Sequence, residues 1–215
     1  AARAVDPRII DAADSIYAPG TFARNLFCAR LATGVGEAFQ FGLLFVKGRD
    51  DTSSTPSSLA ADKPKDNVIV GADLSSSFFK EQFELFGTYA LSLYSRDISN
   101  GSISKAELEN ALGSEELPID PSSIGSFLIF NTSTTPIYFG EGIMNSSALE
   151  GGVRIRLQKT TFSQNLEVKY QDIGPNYYSM AAPLLGFSRT GVAITEQLAL
   201  LKNHVSLNGG YENYA

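Results

Sequence analysis

Hydrophobic and polar residues alternate along several parts of the chain, which predicts β-strands with two different faces. Phe39, Phe41, Leu43 and Phe45 recur at every second position and predict a strand with an aromatic face. In residues 153–157 and 166–170, apolar residues alternate with charged ones. We predict that these two strands form an antiparallel pair around a turn at 163–165, with the charges on one solvated face.

Other segments carry apolar residues three or four positions apart, the spacing of a helix that buries one face. Ser104 and Glu107 form a capping box that predicts the start of one short helix. Four further helices are predicted from apolar spacing, at residues 7–18, 22–33, 75–86 and 194–208.

In total, the sequence predicts about seven strands and four or five helices, which do not alternate strictly as β-α units. This order favours an α+β fold with a mainly antiparallel sheet over a doubly wound fold. A length of 215 residues and a hydrophobic content of 43% suit a single domain over residues 1–215. Residues 48–67 are polar, contain two prolines and predict an excursion loop. Since such a loop buries little surface alone, we expect it to contact a partner.

The net charge and the length of the apolar runs argue against nucleic acid and membranes as partners. The net charge of −6 and the lack of a Lys/Arg cluster argue against nucleic acid. The longest apolar run, residues 38–46, is far shorter than the ~20 residues of a membrane helix, so we expect no membrane insertion and a chain that is not transmembrane. The small residues at 1–4 fit an end left by a processing peptidase and favour an exported, lumenal or particle-associated location.

The sharpest motif is residues 96–112, RDISNGSISKAELENAL, which contains the second half of an EF-hand pattern. With Gly101 at loop position 6, Glu107 falls at position 12, where calcium needs a bidentate carboxylate. However, Arg96 and Ile98 then occupy positions 1 and 3, which must supply oxygen ligands. We therefore predict a turn that leads into a helix, and no metal site.

No catalytic or cofactor motif is complete. His204 is the only histidine, so a Ser-His-Asp or Cys-His mechanism would have to use it, and Cys28 is the only cysteine, so we expect no disulfide within the chain. Gly34-Val35-Gly36 follows a predicted helix, the wrong context for a phosphate loop. The acidic pairs at 50–51 and 115–116 lie in polar segments and predict solvated charge. We expect no cofactor and favour a chain that is not an enzyme.

Residues 175–187 are apolar but show no clear period, and the tail at 209–215 is also rich in tyrosine. Such segments either fill a core or dock on another protein. The interface candidates are Pro175, Tyr177, Tyr178, Met180, Tyr211 and Tyr214.

These observations favour a non-enzymatic structural subunit of a larger assembly. It would be an extrinsic subunit of a membrane complex or a shell, capsid or filament subunit, with loop 48–67 and the C-terminal tail in contact with other protein subunits. One alternative is a soluble protein that binds an apolar small ligand on the face of Phe39, Phe41 and Phe45. Another is a hydrolase built on carboxylates from distant segments.

Overall fold

A computed structural model describes residues 8–11, 16–35, 38–56, 58–112, 123, 125–135, 145–182, 188–202 and 204–215. This part of the chain is almost entirely β-structure. The strands are β1 (Arg8–Asp11), β2 (Ile16–Ala18), β3 (Ala23–Val35), β4 (Phe39–Asp51), β5 (Asp66–Phe78), β6 (Phe83–Ser95), β7 (Thr134–Thr135), β8 (Ser147–Gln158), β9 (Phe162–Ile173), β10 (Arg189–Leu200) and β11 (Val205–Tyr214), and the helix is α1 (Lys105–Leu112).

Nine of these strands form one antiparallel sheet in the order β11-β10-β9-β8-β6-β5-β4-β3, with β7 paired to β6. Apart from the insertion of β7, each strand is hydrogen-bonded to the next one along the chain. Strands β1 and β2 form a separate two-stranded sheet. Among the described residues, β3 pairs only with β4 and β11 only with β10, so both edge strands have one side without a strand partner.

The predicted α+β class with four or five helices is therefore wrong, because α1 is the only helix in the described part of the chain. The segment 22–33 lies mostly in β3, where Leu26 and Cys28 interrupt the alternation and imitate helical spacing. The predicted helices at 75–86 and 194–208 each contain a turn between two strands. The helix predicted at 7–18 falls on β1, β2 and residues outside the described part.

The two ends of the large sheet differ in their connections. At one end, which we call the turn end, three or four residues join β3 to β4, β5 to β6, β8 to β9 and β10 to β11. Phe79, Lys80 and Glu81 in one turn, and Leu201 and Lys202 in another, have positive φ. At the opposite loop end, the chain connects β4 to β5, β6 to β8 and β9 to β10 through long segments. The turn predicted at 163–165 lies inside β9, because the chain reverses at 159–161 instead.

Segments of the long connections cover both faces of the sheet at the loop end. On one face, Leu128 and Phe130 pack against Val68, with Phe45 and Leu93 beside them. On the other, Tyr177 packs against a cluster of Val46, Ile69 and Ala90. The buried core of the described part therefore lies at this end.

The helix α1 begins as its capping box predicts. The Ser104 hydroxyl and backbone N–H both donate to Glu107 Oε2, at 2.8 and 2.9 Å, and Glu107 N–H donates to Ser104 Oγ. These bonds lower the pKa of Glu107, with the backbone bond as the largest cause. The carboxylate in EF-hand position 12 thus caps a helix.

The loop predicted at 48–67 is shorter, because residues 48–51 belong to β4 and residues 66–67 to β5. Its described part, residues 52–56 and 58–65, is held by the chain's own residues. Thr55 is 1% exposed and its hydroxyl donates to the Thr21 carbonyl at 2.9 Å. Gly20 forms a parallel bridge with Ala60, and the Ile98 N–H donates to the Pro64 carbonyl. The order of this loop therefore does not require a partner.

Candidate interaction surface

The eight long strands of the sheet separate their side chains into two chemically different faces. Residues directly opposite each other on paired strands point to the same side. The register places Phe45 of β4 opposite Ala29 and Val70, and Val70 opposite Leu91. We call the side that carries Phe45 the apolar face and the other side the polar face.

Large hydrophobic side chains that are 36–76% exposed lie on the apolar face of every long strand. They are Phe27, Leu31, Val35, Phe39, Leu43, Val70, Leu74, Phe78, Leu85, Tyr89, Leu149, Val168, Tyr170, Val192, Ile194, Val205, Leu207 and Tyr211.

Together with half-buried side chains of the same face, such as Phe45, Val153 and Ile155, they define a band of seven to nine residues on each strand. We call it the uncovered band, and it comprises the apolar-face side chains of residues 27–35, 39–45, 70–78, 83–91, 149–157, 162–170, 192–200 and 205–211. Within these ranges, Glu196 is the one charged side chain on the apolar face, and its carboxylate accepts a hydrogen bond from Gln164 at 2.6 Å. The band is therefore a nearly uncharged surface across all eight strands.

The polar face carries a network of ion pairs between neighbouring strands. Arg154 donates to Glu84 at 3.0 Å and to Glu167 at 2.6 Å, and Arg156 pairs with Glu84 at 2.7 Å. Burial lowers the pKa of Arg154, but its bonds and charge interactions with Glu167 and Glu84 outweigh this effect and raise it. Further pairs on this face are Lys169–Glu150, Arg30–Asp73 and Arg24–Asp50.

Glycines leave room for the larger groups of the polar face. Gly152 lies opposite Phe86, and a Cβ atom at Gly152 would come within 2.8 Å of the Phe86 ring. The Arg154 guanidinium lies over the same ring, 5.1 Å from its centroid. A side chain at position 152 would therefore disturb the packing beside the ion-pair network.

A separate charged cluster lies at the loop end of the apolar face, outside the uncovered band. Asp66 is fully buried and pairs with Lys47 and with Arg49, whose Nη2 lies 2.7 Å from Asp66 Oδ2. The Ile129 N–H donates to the same oxygen at 2.8 Å. Burial lowers the pKa of Lys47, although the hydrogen bond and charge of Asp66 act in the opposite direction. The charges of this cluster are thus covered by protein and compensated.

The predicted interface residues of segment 175–187 contact the chain's own sheet. Met180 is 3% exposed, and its N–H donates to Asn67 Oδ1 at 3.1 Å. Tyr178 stacks on Tyr94 with ring centroids 4.3 Å apart, and burial raises the pKa values of Tyr94 and Tyr177. Pro175 is exposed nearby, and residues 183–187 lie outside the described part.

The two predicted interface residues of the tail lie on opposite faces of the edge strand β11. Tyr211 is 59% exposed on the apolar face. Tyr214 lies on the polar face, where the Arg189 guanidinium is 5.1 Å from its ring centroid. Only Tyr211 therefore contributes to the uncovered band.

The other sequence candidates that the structure describes do not come together in one site. Cys28 is exposed on the polar face of β3, whereas His204 lies in the turn before β11, the opposite edge strand. His204 Nδ1 is 2.6 Å from the Leu201 carbonyl oxygen. Asp50 pairs with Arg24, and the Glu115–Glu116 pair lies outside the described residues. In the described ranges, no group of three or more His, Cys, Asp or Glu could hold a metal ion.

Open depressions lie on the described surface, and each is lined by both polar and apolar groups. One of about 360 Å³ is lined by Asp62, Lys63, Lys65, Tyr94, Arg96 and residues 175–178. Phe39, Phe41 and Phe45, the predicted ligand-binding side chains, lie instead on the apolar face, where Phe45 packs against the core cluster. The feature that distinguishes this chain is therefore the uncovered band and not a pocket.

Sequence reasoning found parts of this surface but not its extent. The alternation in residues 39–45, 153–157 and 166–170 gave the correct face for three strands. The full band depends on the register of five further strands, and the predicted helices covered most of β3 and parts of β5, β6, β10 and β11. Within the described ranges, no helix has the length and apolar character needed for a membrane crossing. No protein-family model, curated protein or solved structure matches this chain.

Proposed function

We propose that this chain is a non-enzymatic structural subunit of a larger assembly, in which its sheet forms part of a wall. The observation that supports this proposal is the uncovered band, a nearly uncharged and largely apolar surface across eight strands. In the assembly, other molecules cover this band and the polar face stays hydrated.

The size of the band explains why it requires a cover. Eight strands about 4.8 Å apart, with up to nine residues of about 3.3 Å each, give a footprint of roughly 1,100 Å². The largest apolar patch on a typical monomer is about 300–600 Å². At about 25 cal/mol per Å², the gain from covering the band is on the order of 30 kcal/mol, which exceeds the 5–15 kcal/mol net stability of a typical domain.

The two edge strands support an assembly in a second way. β3 contains 13 residues and β11 contains 10, and each has one side without a strand partner in the described part. Long edge strands with free N–H and C=O groups add further strands. In the assembly, β3 and β11 therefore pair with strands from other protein segments and extend the wall at both sides.

The test compares two lysine substitutions at neighbouring positions of β3. Leu31 is 73% exposed on the apolar face, and Ala32 is exposed on the polar face. Both changes add the same charge to the same edge strand. We expect Leu31→Lys to reduce the oligomeric fraction of the purified chain in detergent-free buffer and Ala32→Lys to leave it nearly unchanged, as measured by mass photometry.

Two results would contradict the proposal. One is a wild-type chain that is a folded monomer at micromolar concentration without detergent or lipid. The other is an equal effect of the two substitutions, because the cover would then not depend on which face carries the charge. Far-UV circular dichroism of both variants checks that the sheet is retained.

A further inference from the structure

We propose that the hydrocarbon of a lipid bilayer contacts the uncovered band, and that the polar face points away from the bilayer. This inference rests on the proposed function and names the partner of the same surface. A second copy of the chain is the competing cover, because two such sheets could also stack face to face.

The length of the band fits a bilayer. A strand crosses the hydrocarbon with about 9–11 residues, of which only alternate ones face the lipid. Residues 70–78 and 83–91, in two neighbouring central strands, each supply nine. Because only alternate residues need to be apolar, the longest continuous apolar run in the sequence carries no information about such a sheet.

The distribution of charge also fits a bilayer. An unpaired charge facing lipid is costly, and charged substitutions on such a face destabilise most at the bilayer midplane. The ion pairs between Arg154, Glu84 and Glu167 lie on the polar face. The charges of Asp66 and its partners lie beyond the band, under the residue 125–131 segment. Glu196, at the middle of the band on β10, is the exception, and its carboxylate accepts a hydrogen bond from Gln164.

Aromatic residues and lysines mark the two limits of the band, and this feature favours lipid over a second copy. The tyrosines of the apolar face are Tyr89, Tyr170 and Tyr211, and each lies at or next to the loop-end limit. Tyrosines with an apolar ring and a polar hydroxyl concentrate where hydrocarbon meets headgroups. At the other limit, the turns contain the exposed Lys80, Lys159 and Lys202, whose ammonium groups can reach phosphate oxygens. Stacking of a second sheet gives no reason for this arrangement.

The test places spin labels on both faces of the central strand β5 in the 215-residue chain, reconstituted into phosphatidylcholine vesicles. In a Cys28→Ser background, Leu74→Cys puts a label at the middle of the band and Ser75→Cys puts one on the polar face beside it. The native Cys28, also on the polar face, is labelled in the chain without any substitution. Each label's collision frequency is measured with oxygen, which concentrates in hydrocarbon, and with a water-soluble nickel chelate.

We expect the oxygen-to-nickel ratio to be several-fold higher at Leu74→Cys than at Ser75→Cys or Cys28. Labels at Val70→Cys and Phe78→Cys, at the two limits of the band, should give intermediate ratios. A chain that does not float with the vesicles, or equal ratios on the two faces, would overturn the inference.

The same experiment separates this inference from the proposed function. If a second copy covers the band, the Leu74→Cys label will be shielded from both reagents and will show spin–spin broadening from a neighbouring label. The lipid inference then fails and the assembly proposal stands. If the chain is monomeric and all of its labels collide freely with the nickel chelate, both proposals fail.

Discussion

The buried Asp66 gives the sharpest stability prediction, because its carboxylate compensates two cations and one backbone donor. It is 0% exposed, and the side chains of Lys47 and Arg49 are 18% and 31% exposed. Asp66→Asn keeps an oxygen for the Ile129 N–H but removes the negative charge. The Lys47 ammonium, which burial already disfavours, then lacks its counter-charge.

The expected loss is that of breaking a buried ion pair from one side, about 3–5 kcal/mol. For a chain of this length, 1 kcal/mol shifts the thermal midpoint by about 2–4 °C, so Asp66→Asn should lower it by about 6–20 °C. Thermal unfolding followed by far-UV circular dichroism measures this shift.

The same strand supplies a matched control in Asp73, which pairs with Arg30 on the exposed polar face. The substitution Asp73→Asn removes the same charge from β5 and should shift the midpoint several-fold less, because solvent screens the pair. The double variant Lys47→Met/Asp66→Asn should recover part of the loss, since it removes the uncompensated ammonium. Equal shifts for the two aspartates, or no recovery in the double variant, would refute this account of the cluster.

Two further changes test the packing of the polar face and the pH dependence. Gly152→Ala should lower the free energy of unfolding, measured in urea, by about 1–3 kcal/mol, because its Cβ would lie 2.4 Å from the Val168 carbonyl oxygen. Gly209→Ala is the control and should leave the free energy unchanged, because no atom lies within 4 Å of its Cβ position. Equal losses for the two variants would contradict the stated clash. The hydrogen bond from the Ser99 N–H lowers the pKa of the Asp97 carboxyl below its ordinary value of 3.8. The charged carboxylate therefore stabilises the folded protein above pH 3.8, and this stabilisation is lost as the pH falls through the lower pKa of the folded state. Between pH 5 and 2, Asp97→Asn should therefore lose less stability than the wild type, and parallel pH curves would contradict this.

The fold was predictable where one strand shows its two faces without interruption. Phe39, Phe41, Leu43 and Phe45 do so, and their strand was predicted correctly. The alternation in β3 is hidden, because Leu26 and Cys28 place apolar groups on the polar face. Spacing alone therefore favoured a helix.

Two hairpins were missed because the residues with positive φ in their turns are neither glycine nor asparagine. A change of direction normally uses glycine or asparagine where φ is positive. Phe79, Lys80 and Glu81 adopt positive φ although none of them is glycine or asparagine, so residues 75–86 were predicted as one continuous helix. Leu201 and Lys202 have the same effect between β10 and β11. The candidate surface was missed for the same reason, since it appears only when the register of all eight strands is known.

The difference between the two ends of the sheet has a consequence for how this protein can change during evolution. The long connections all leave from the loop end, and the tight reversals at the other end fix the pairing of neighbouring strands. Insertions in the long connections can therefore accumulate without a shift of any strand against its neighbour. A one-residue insertion in a tight reversal would instead exchange the inward and outward side chains of a whole strand.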